Sequence, residues 1–439
     1  MRLKSTFQTS SFGGPAFPAI KLLVIFSLFI NTTAVSQTTG SSQENNFLSK
    51  DITPFKVNVP GDELIKIRNM VQSVELPVED TNGNWDMGMP VSFARKLRSY
   101  WIDKYDWRHF ESQINKYQQY QAIVDGLKIH FIYIKGSGKN PMPLLLLHGW
   151  PDSPFGFLSV IEKLAHPERF GGREEDGYTL IIPSLPGFGF SDAPPKPISL
   201  QTMAGIMDKF MTEKLGINNY VIGGGDFGSI TGTWMALSFP DHVKALYQYL
   251  VFPRHASSIY GSNTTGKKNP SREEIKFVKD EAATFYMQSA YFHLHNTRPS
   301  TTAIAVGTNP FSIATWVIEK YYYWKDTTSN LDEVFSMDDL LNIAMLYIVN
   351  KNFKSTVWPY YMLTREANVI PTGIKVKVPT AIASFPDPLN TVPPRSFVAE
   401  SRGNIIQWTT HDKGGHFPHL LNPDGFVKDL LLLRKNLKP

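Results

Sequence analysis

An aspartate occupies the position at which this sequence pattern usually carries a nucleophilic serine. Residues 220–229 read YVIGGGDFGS, an apolar run followed by glycines and Asp226, and residues 230–237 have the composition of a helix. A strand, a sharp turn and a helix with a nucleophile at the turn form a nucleophile elbow. A carboxylate is already ionised near neutral pH, so it attacks without a base to remove a proton.

Attack by a carboxylate restricts the chemistry that can follow. Its oxygen would displace a leaving group from a saturated carbon and form an alkyl ester with the aspartate. Water must then cleave this ester at the carbonyl carbon, which requires a general base and donors that stabilise an oxyanion. Strained epoxides and alkyl halides are the substrates that suit these two steps.

Two residues near the C-terminus are candidates for the base and for the acid that orients it. His416 lies in the segment KGGHF, residues 413–417, after the last predicted strand, and Asp387 lies between two prolines after the preceding one. Nucleophile, acid and histidine follow each other in this order in hydrolases built on a nucleophile elbow. His411 and His419 are nearby, but no acid and histidine cluster with metal-ligand spacing accompanies them, so we expect no metal site.

Two backbone amides are expected to form the oxyanion hole. The amide of Phe227 follows the nucleophile directly, and the second donor should come from the loop after an earlier strand. The segment HGWP, residues 148–151, occupies that loop, and its glycine permits a close backbone approach. We assign the second donor to the amide of Trp150 and interpret His148 as structural.

The glycines around Asp226 also match the dinucleotide-binding pattern G-x-G-x-x-G, over residues 223–228. That pattern belongs at the first strand-helix turn and is followed about 20 residues later by an acid. Here several predicted strands come first, and residues 242–252 contain no acid. The position in the chain therefore favours the nucleophile over a nucleotide site.

Predicted strands and helices alternate along most of the chain. A hairpin with its turn at Asp125 and Gly126 precedes continuous apolar runs of the kind found in strands buried on both faces. This alternation indicates a mostly parallel sheet with helices on both faces. Residues 253–377, helical in pattern and rich in aromatic side chains, interrupt it and are expected to form a lid.

Composition and the N-terminus place further limits on the chain. Its 439 residues predict two or three structural units, and a net charge of +5 without a Lys/Arg run gives no indication of a nucleic-acid partner. Basic residues, the apolar run at 22–30 and the small residues 34–36 form a secretory signal, with cleavage expected between Ser36 and Gln37. The apolar run is shorter than the roughly 20 residues that span a bilayer. We therefore expect an exported protein, periplasmic or secreted; an N-terminal membrane anchor is the alternative.

The chain resembles the microsomal and juvenile-hormone type of epoxide hydrolase. The resemblance extends over nearly all of the chain after the signal sequence and depends on several motifs in the family's order. These motifs are HGWP at 148–151, LPGFGFS at 185–191, GGDFGS at 224–229 and GGHF at 414–417, preceded by an aromatic-rich N-terminal stretch with YDWR at 105–108.

This resemblance implies an α/β-hydrolase fold: a mostly parallel eight-stranded sheet flanked by helices, with a helical lid and an N-terminal accessory domain. The expected segments are a signal peptide (1–36), a linker (37–50), the accessory domain (51–118), the first part of the core (119–252), the lid (253–377) and the second part of the core (378–439). The resemblance also implies an apolar epoxide substrate that is converted with water to a vicinal diol without a cofactor.

Two lid tyrosines in this family hydrogen-bond the epoxide oxygen and supply a proton. The first matches Tyr291. The second usually stands where this chain has Thr364, so Tyr360, one helical turn earlier, is our candidate; its neighbour Tyr361 and the absence of a second donor remain alternatives. The chain departs from the family at two other positions: Phe227 stands where Trp is common, and Pro388 where the orienting acid is commonly Glu.

Two other functions are compatible with parts of this pattern. A haloalkane dehalogenase uses the same nucleophile and base but needs N–H donors for the halide, and Phe227 removes an obvious one. A non-catalytic binding protein could retain the fold, and the departures from the family pattern would fit it. The intact nucleophile and base, together with the lid tyrosines, favour the epoxide hydrolase.

Overall fold

The computed structural model describes residues 51–78, 83–252, 269–366, 370–371 and 373–438. The expected signal peptide and linker, residues 1–50, therefore lie outside the described residues, and so does the first part of the expected lid, residues 253–268. In the portion of the chain that is described, no helix is both long and apolar enough to cross a bilayer.

A nine-stranded sheet runs through the centre of the described chain in the order β1-β2-β3-β5-β4-β6-β7-β8-β9. The pairs β1–β2, β2–β3 and β3–β5 are antiparallel. The pairs β5–β4, β4–β6, β6–β7, β7–β8 and β8–β9 are parallel. Its strands are β1 (Ile52–Phe55), β2 (Gln119–Val124), β3 (Leu127–Ile134), β4 (Met142–Leu147), β5 (Tyr178–Pro183), β6 (Tyr220–Gly224), β7 (Val243–Gln248), β8 (Thr380–Ser384) and β9 (Ile405–Thr410). The predicted hairpin is present, with Asp125 and Gly126 both at positive φ in the turn between β2 and β3.

The sheet has one strand more than the eight that we expected. The additional strand, β1, comes from the segment assigned to the accessory domain and pairs with β2, Ile52 opposite Ala122 and Phe55 opposite Gln119. It contains Pro54, which has no backbone N–H and so fits an edge strand better than an interior one. A four-residue strand that contains proline carries little sequence signal, and its pairing with β2 depends on a distant contact.

Helices cover the sheet and bring the accessory segment against it. The helices before the lid are α1 (Gly61–Gln72), α2 (Val91–Asp103), α3 (Trp107–Ile114), α4 (Leu158–Ala165), α5 (Leu200–Lys209) and α6 (Asp226–Ser238). Single 3₁₀ turns occur at Pro154–Phe157, Pro167–Phe170 and Glu174–Asp176, and a π turn at Phe210–Lys214 extends α5. The helices after the lid are α15 (Arg395–Val398), α16 (Pro418–Leu421) and α17 (Pro423–Asn436).

The described part of the lid consists of helices inserted between β7 and β8. They are α7 (Arg272–Gln288), α8 (Ala290–Thr297), α9 (Pro299–Gly307), α10 (Pro310–Trp324), α11 (Leu331–Val334), α12 (Met337–Val349), α13 (Phe353–Thr356) and α14 (Trp358–Leu363). The helices α7 and α8 meet at Ser289, and α8 carries Tyr291.

Aromatic side chains of the accessory segment pack against the rest of the protein. Trp101 approaches Phe311 of the lid and Phe110 approaches Phe155 of the core, with ring centroids 6.4 and 6.2 Å apart. The hydroxyl of Tyr105 donates to Asn342 Oδ1 at 2.9 Å. The segment therefore contacts the lid as well as the core.

The nucleophile elbow requires glycine at position 228, where there is no space for a side chain. A Cβ on Gly228, in the first turn of α6, would lie 2.1 Å from the carbonyl oxygen of Leu147. We expect Gly228→Ala to lower the free energy of unfolding by about 1–3 kcal/mol, the usual range for overpacking, measured by urea denaturation.

Gly205→Ala is the matched control for this measurement. Gly205 is also helical, but a Cβ at that position would meet nothing within 4 Å. Alanine is the better helix former there, so this variant should gain roughly 0.5–1 kcal/mol. Equal unfolding free energies for the two variants would contradict the packing described for the elbow.

Candidate active site

Asp226 lies at the tip of the elbow, where β6 ends and α6 begins. Its φ of 46° is in the left-handed region, which non-glycine residues adopt rarely and at a cost. As the first residue of α6 it lies at the positive end of the helix dipole, which favours a carboxylate. Its side chain is 16% exposed, so the carboxylate is almost enclosed.

Backbone amides hold the carboxylate of Asp226. The Trp150 N–H donates to its Oδ1 at 2.9 Å, and the Phe227 N–H also donates to the carboxylate. The loop that carries Trp150 comes this close because Gly149 has no side chain: a Cβ there would lie 2.3 Å from Asp226 Oδ1. The two amides assigned from the sequence therefore converge on one side chain, as an oxyanion hole requires.

Asp387 and His416 form a buried pair beside the nucleophile. The Nδ1 atom of His416 lies 2.8 Å from Asp387 Oδ2, and the Leu389 N–H donates to Asp387 Oδ1 at 2.8 Å. The carboxylate fixes the imidazole tautomer with its proton on Nδ1, which leaves Nε2 as the acceptor. His416 Nε2 lies 3.7 Å from Asp226 Oδ2 and so points toward the nucleophile. Asp387 thus occupies the orienting position despite its one-residue offset from the family pattern.

The charged groups of this site shift each other's pKa values. Burial lowers the pKa of His416, but the carboxylates of Asp387 and Asp226 outweigh burial and raise the pKa above its ordinary value. Burial raises the pKa of Asp226, against the opposing effects of His416 and the two amides. An ester at Asp226 is uncharged, so alkylation removes one of the three carboxylates, those of Asp387, Asp226 and Asp152, that favour a charged His416.

Two lid tyrosines contact the loops around Asp226. The Tyr291 ring stacks on the Trp150 indole, with centroids 5.4 Å apart, and the Tyr360 ring contacts Phe227 at 4.7 Å. The two phenol rings lie 5.7 Å apart at right angles. Burial and then the carboxylate of Asp226 raise the pKa of Tyr291 well above its usual value, so its O–H remains a donor.

The structure distinguishes Tyr360 from the other two candidates for the second donor. Tyr360 is buried on α14, whereas the Tyr361 ring is half-buried and lies under the Arg365 guanidinium, 3.6 Å from it. Thr364 is exposed and its hydroxyl donates to the Tyr361 carbonyl oxygen. Among the three, Tyr360 is therefore the residue that the fold places beside Tyr291.

Other histidines near the site have structural contacts. His148 is fully buried, and its Nε2 accepts a hydrogen bond from the Leu185 N–H at 3.1 Å. His419 pairs through Nε2 with Asp152 Oδ2 at 2.7 Å. Within the described ranges no group of three or more histidine and acidic side chains could hold a metal ion.

The buried pair of Asp152 and His419 was not found from the sequence. It stabilises the loop of Trp150, where the Asp152 N–H also donates to the Gly149 carbonyl oxygen at 3.1 Å and the Tyr347 hydroxyl donates to the Asp152 carbonyl oxygen at 3.1 Å. Asp152 and His419 are 267 positions apart in the chain. In the sequence, only the position of Asp152 directly after the HGWP segment pointed to this residue. Nothing indicated that His419 is its partner.

The raised pKa of His416 leads to a prediction about pH dependence. His416 must be neutral to accept a proton, so ester hydrolysis should fall on the acidic side of its pKa. Asp387→Asn removes the carboxylate that favours the imidazolium, so the acidic limb should move to lower pH. The same change should slow hydrolysis by about 10²–10⁴-fold because the imidazole loses its orienting partner. Single-turnover rates of ester hydrolysis across pH measure both effects.

Asp412→Asn is the matched control, because Asp412 is an exposed carboxylate four residues before His416. It removes the same formal charge, but solvent screens it from the site. This variant should keep the rate and the acidic limb of the parent. A limb that moves to higher pH in Asp387→Asn would contradict the assigned electrostatics.

Comparisons with known proteins show which family the chain resembles. A family model described as the epoxide hydrolase N terminus matches residues 52–157, and one for the alpha/beta hydrolase fold matches residues 142–248. A candidate epoxide hydrolase of Stigmatella aurantiaca (strain DW4/3-1) is 32% identical over 382 residues, which cover 86% of this chain and 84% of that protein. Epoxide hydrolase 1 of Sus scrofa is 29% identical, covering 87% and 88% of the two chains.

The protein is also similar to an epoxide hydrolase of known structure. The Aspergillus niger epoxide hydrolase superposes with a TM-score of 0.76 at 26% identity, covering 89% of this chain and 97% of that one. The α/β-hydrolase fold and the resemblance to epoxide hydrolases expected from the sequence are therefore confirmed.

Proposed function

Because the chain belongs to the epoxide hydrolase family, we propose that it converts apolar epoxides to vicinal diols through a covalent ester of Asp226. The observation that carries this proposal is the position of two lid phenols beside a carboxylate that is paired with an imidazole base. Each half of the reaction uses a different part of this arrangement.

Ring opening uses the nucleophile and the lid. Asp226 attacks an epoxide carbon, a carbon–oxygen bond of the ring breaks as the ester bond forms, and the released electron pair moves to the epoxide oxygen. Tyr291 and Tyr360 donate hydrogen bonds to that oxygen and supply its proton. A neutral phenol suits this role because its O–H donates to a developing alkoxide.

Ester hydrolysis uses the base and the oxyanion hole. His416 Nε2 takes a proton from water, which adds to the ester carbonyl carbon, while Asp387 stabilises the imidazolium that forms. The amides of Trp150 and Phe227 stabilise the tetrahedral oxyanion. Its collapse breaks the bond to the substrate oxygen, which takes the proton from His416 and leaves as the diol. Asp226 is then a carboxylic acid, and the proton that it loses to solvent replaces the one that the lid phenol gave to the epoxide oxygen.

The walls of the site favour an apolar substrate. The rings in mutual contact around the nucleophile are those of Trp150, Phe227, Tyr291, Phe292, Trp324 and Tyr360. All six side chains are buried. Aromatic walls of this kind provide apolar contact area and few hydrogen bonds, so an aryl or alkyl substituent on the epoxide fits best.

Loss of the base should trap the intermediate. His416→Gln retains the nucleophile and the lid phenols but cannot activate water. When it is incubated with styrene oxide, we expect the intact protein to gain the mass of one substrate molecule, and peptide mapping should place the adduct on Asp226. The wild type should release diol and accumulate far less adduct.

Asp226→Asn in the His416→Gln background is the control, because a carboxamide does not form the ester and no adduct should appear. An adduct on another residue would refute the assigned nucleophile. Halide release from 1-bromobutane by the wild type, without diol formation from any epoxide, would favour the dehalogenase. No turnover and no adduct with either compound would favour a binding protein.

We also propose that the protein is exported. The basic residues, short apolar run and small residues at the N-terminus support cleavage between Ser36 and Gln37. The test is expression of the full chain in a bacterium, followed by fractionation and N-terminal sequencing. Release from the periplasm with Gln37 as the first residue is expected, whereas an uncleaved chain in the membrane fraction would indicate the N-terminal anchor.

A further inference from the structure

A buried lysine lies over the face of the first lid phenol. Lys320, on α10, is 7% exposed, and its Nζ lies 4.9 Å from the centroid of the Tyr291 ring. The same ammonium lies 5.4 Å from the centroid of the Trp316 ring. Lysine is rarely buried unless it is paired, and neither step of the proposed reaction as described for this site involves Lys320.

The Lys320 ammonium lies between the rings of Tyr291 and Trp316 and one carboxylate. Glu319 pairs with the ammonium, but its side chain is 25% exposed and partly solvated. Burial lowers the pKa of Lys320, and the pairing with Glu319 opposes this effect. A charge that is buried against aromatic rings acts through a low dielectric, so its field at the rings is weakly screened.

The other basic group beside Tyr291 is held neutral. The ring of His295 lies 5.6 Å from that of Tyr291, and its Nε2 accepts a hydrogen bond from Trp316 Nε1 at 3.2 Å. Burial, together with the charge of Lys320, lowers the pKa of His295 well below its ordinary value. Of these two groups, Lys320 is therefore the one that brings positive charge to the phenol.

We propose that Lys320 is a positioning residue for ring opening, whose ammonium over the Tyr291 ring stabilises the negative charge that the phenol acquires as it donates to the epoxide oxygen. This proposal rests on the proposed epoxide chemistry. As the carbon–oxygen bond breaks, proton transfer gives Tyr291 phenolate character, and phenolate charge is spread into the ring. A cation over the ring face favours that state over the neutral phenol, so it lowers the barrier to alkylation of Asp226. Ester hydrolysis does not require this charge on Tyr291 and should not depend on Lys320.

Single-turnover kinetics with styrene oxide separate the two steps. Lys320→Met keeps the length and apolar stem of the side chain but removes the charge, so alkylation should slow about tenfold, as expected for one weakly screened charge. The rate of ester hydrolysis should remain that of the wild type. Lys320→Arg retains a cation and should recover most of the alkylation rate.

A double-mutant cycle tests whether the effect passes through Tyr291. In a Tyr291→Phe background no phenolate forms at this position, so adding Lys320→Met should change alkylation by less than about twofold. Lys325→Met is the matched control, because Lys325 is close in the chain and lies over the ring of Tyr322, 5.3 Å from its centroid. It should leave both rates unchanged.

Two results would overturn the proposal. The first is an equal slowing of alkylation and hydrolysis by Lys320→Met, which would indicate a packing role. The second is the same slowing of alkylation in the presence and absence of the Tyr291 hydroxyl. Failure of the epoxide chemistry itself is distinguishable, since His416→Gln would then form no adduct on Asp226 while Lys320 was intact.

Discussion

A carboxylate that is both enclosed and reactive is the constraint on which this structure depends. Removing Asp226 from water raises its pKa and weakens the charged form that must attack. Two amides, the start of α6 and the imidazole of His416 offset part of this effect, and hydrogen bonds to a charged group contribute about 1.5–3 kcal/mol each. The strained backbone of Asp226 and the absence of side chains at Gly149 and Gly228 follow from the need to bring these groups within reach.

The stabilising groups come from parts of the chain that only the parallel half of the sheet brings together. Trp150 follows β4, Asp226 follows β6, Asp387 follows β8 and His416 follows β9, so all four lie beyond the carboxyl ends of parallel strands. This edge is where open α/β sheets bind ligands. The lid then covers the edge with aromatic side chains and leaves the base beside the carboxylate.

Much of this site could be predicted from the sequence because its parts carry local signals. Asp226 lies between glycines, His416 follows two glycines, and Asp387 stands between prolines; each pattern reflects a turn whose backbone requires those residues. Tyr360 was harder to place, since only the fold shows that it is buried beside Tyr291 while Thr364 faces solvent. Strand β1, the pair of Asp152 and His419, and the position of Lys320 depend on contacts between distant segments, for which a single sequence has no periodicity or spacing to offer.

Core and lid have different roles in the proposed reaction. This difference explains how the chain can depart from the family pattern at Asp387 and at Tyr360. In the proposed reaction the base and the oxyanion donors act on an ester fixed to the core, so β4, β6, β8 and β9 set where their reacting atoms lie. Asp387 meets His416 from one place earlier than the family's Glu because the turn between prolines still delivers a carboxylate oxygen to 2.8 Å. The lid donors act on a substrate oxygen and need only bring an O–H to it. In the proposed reaction Tyr360 can therefore take the place of a tyrosine one helical turn later, because its ring contacts those of Phe227 and Tyr291.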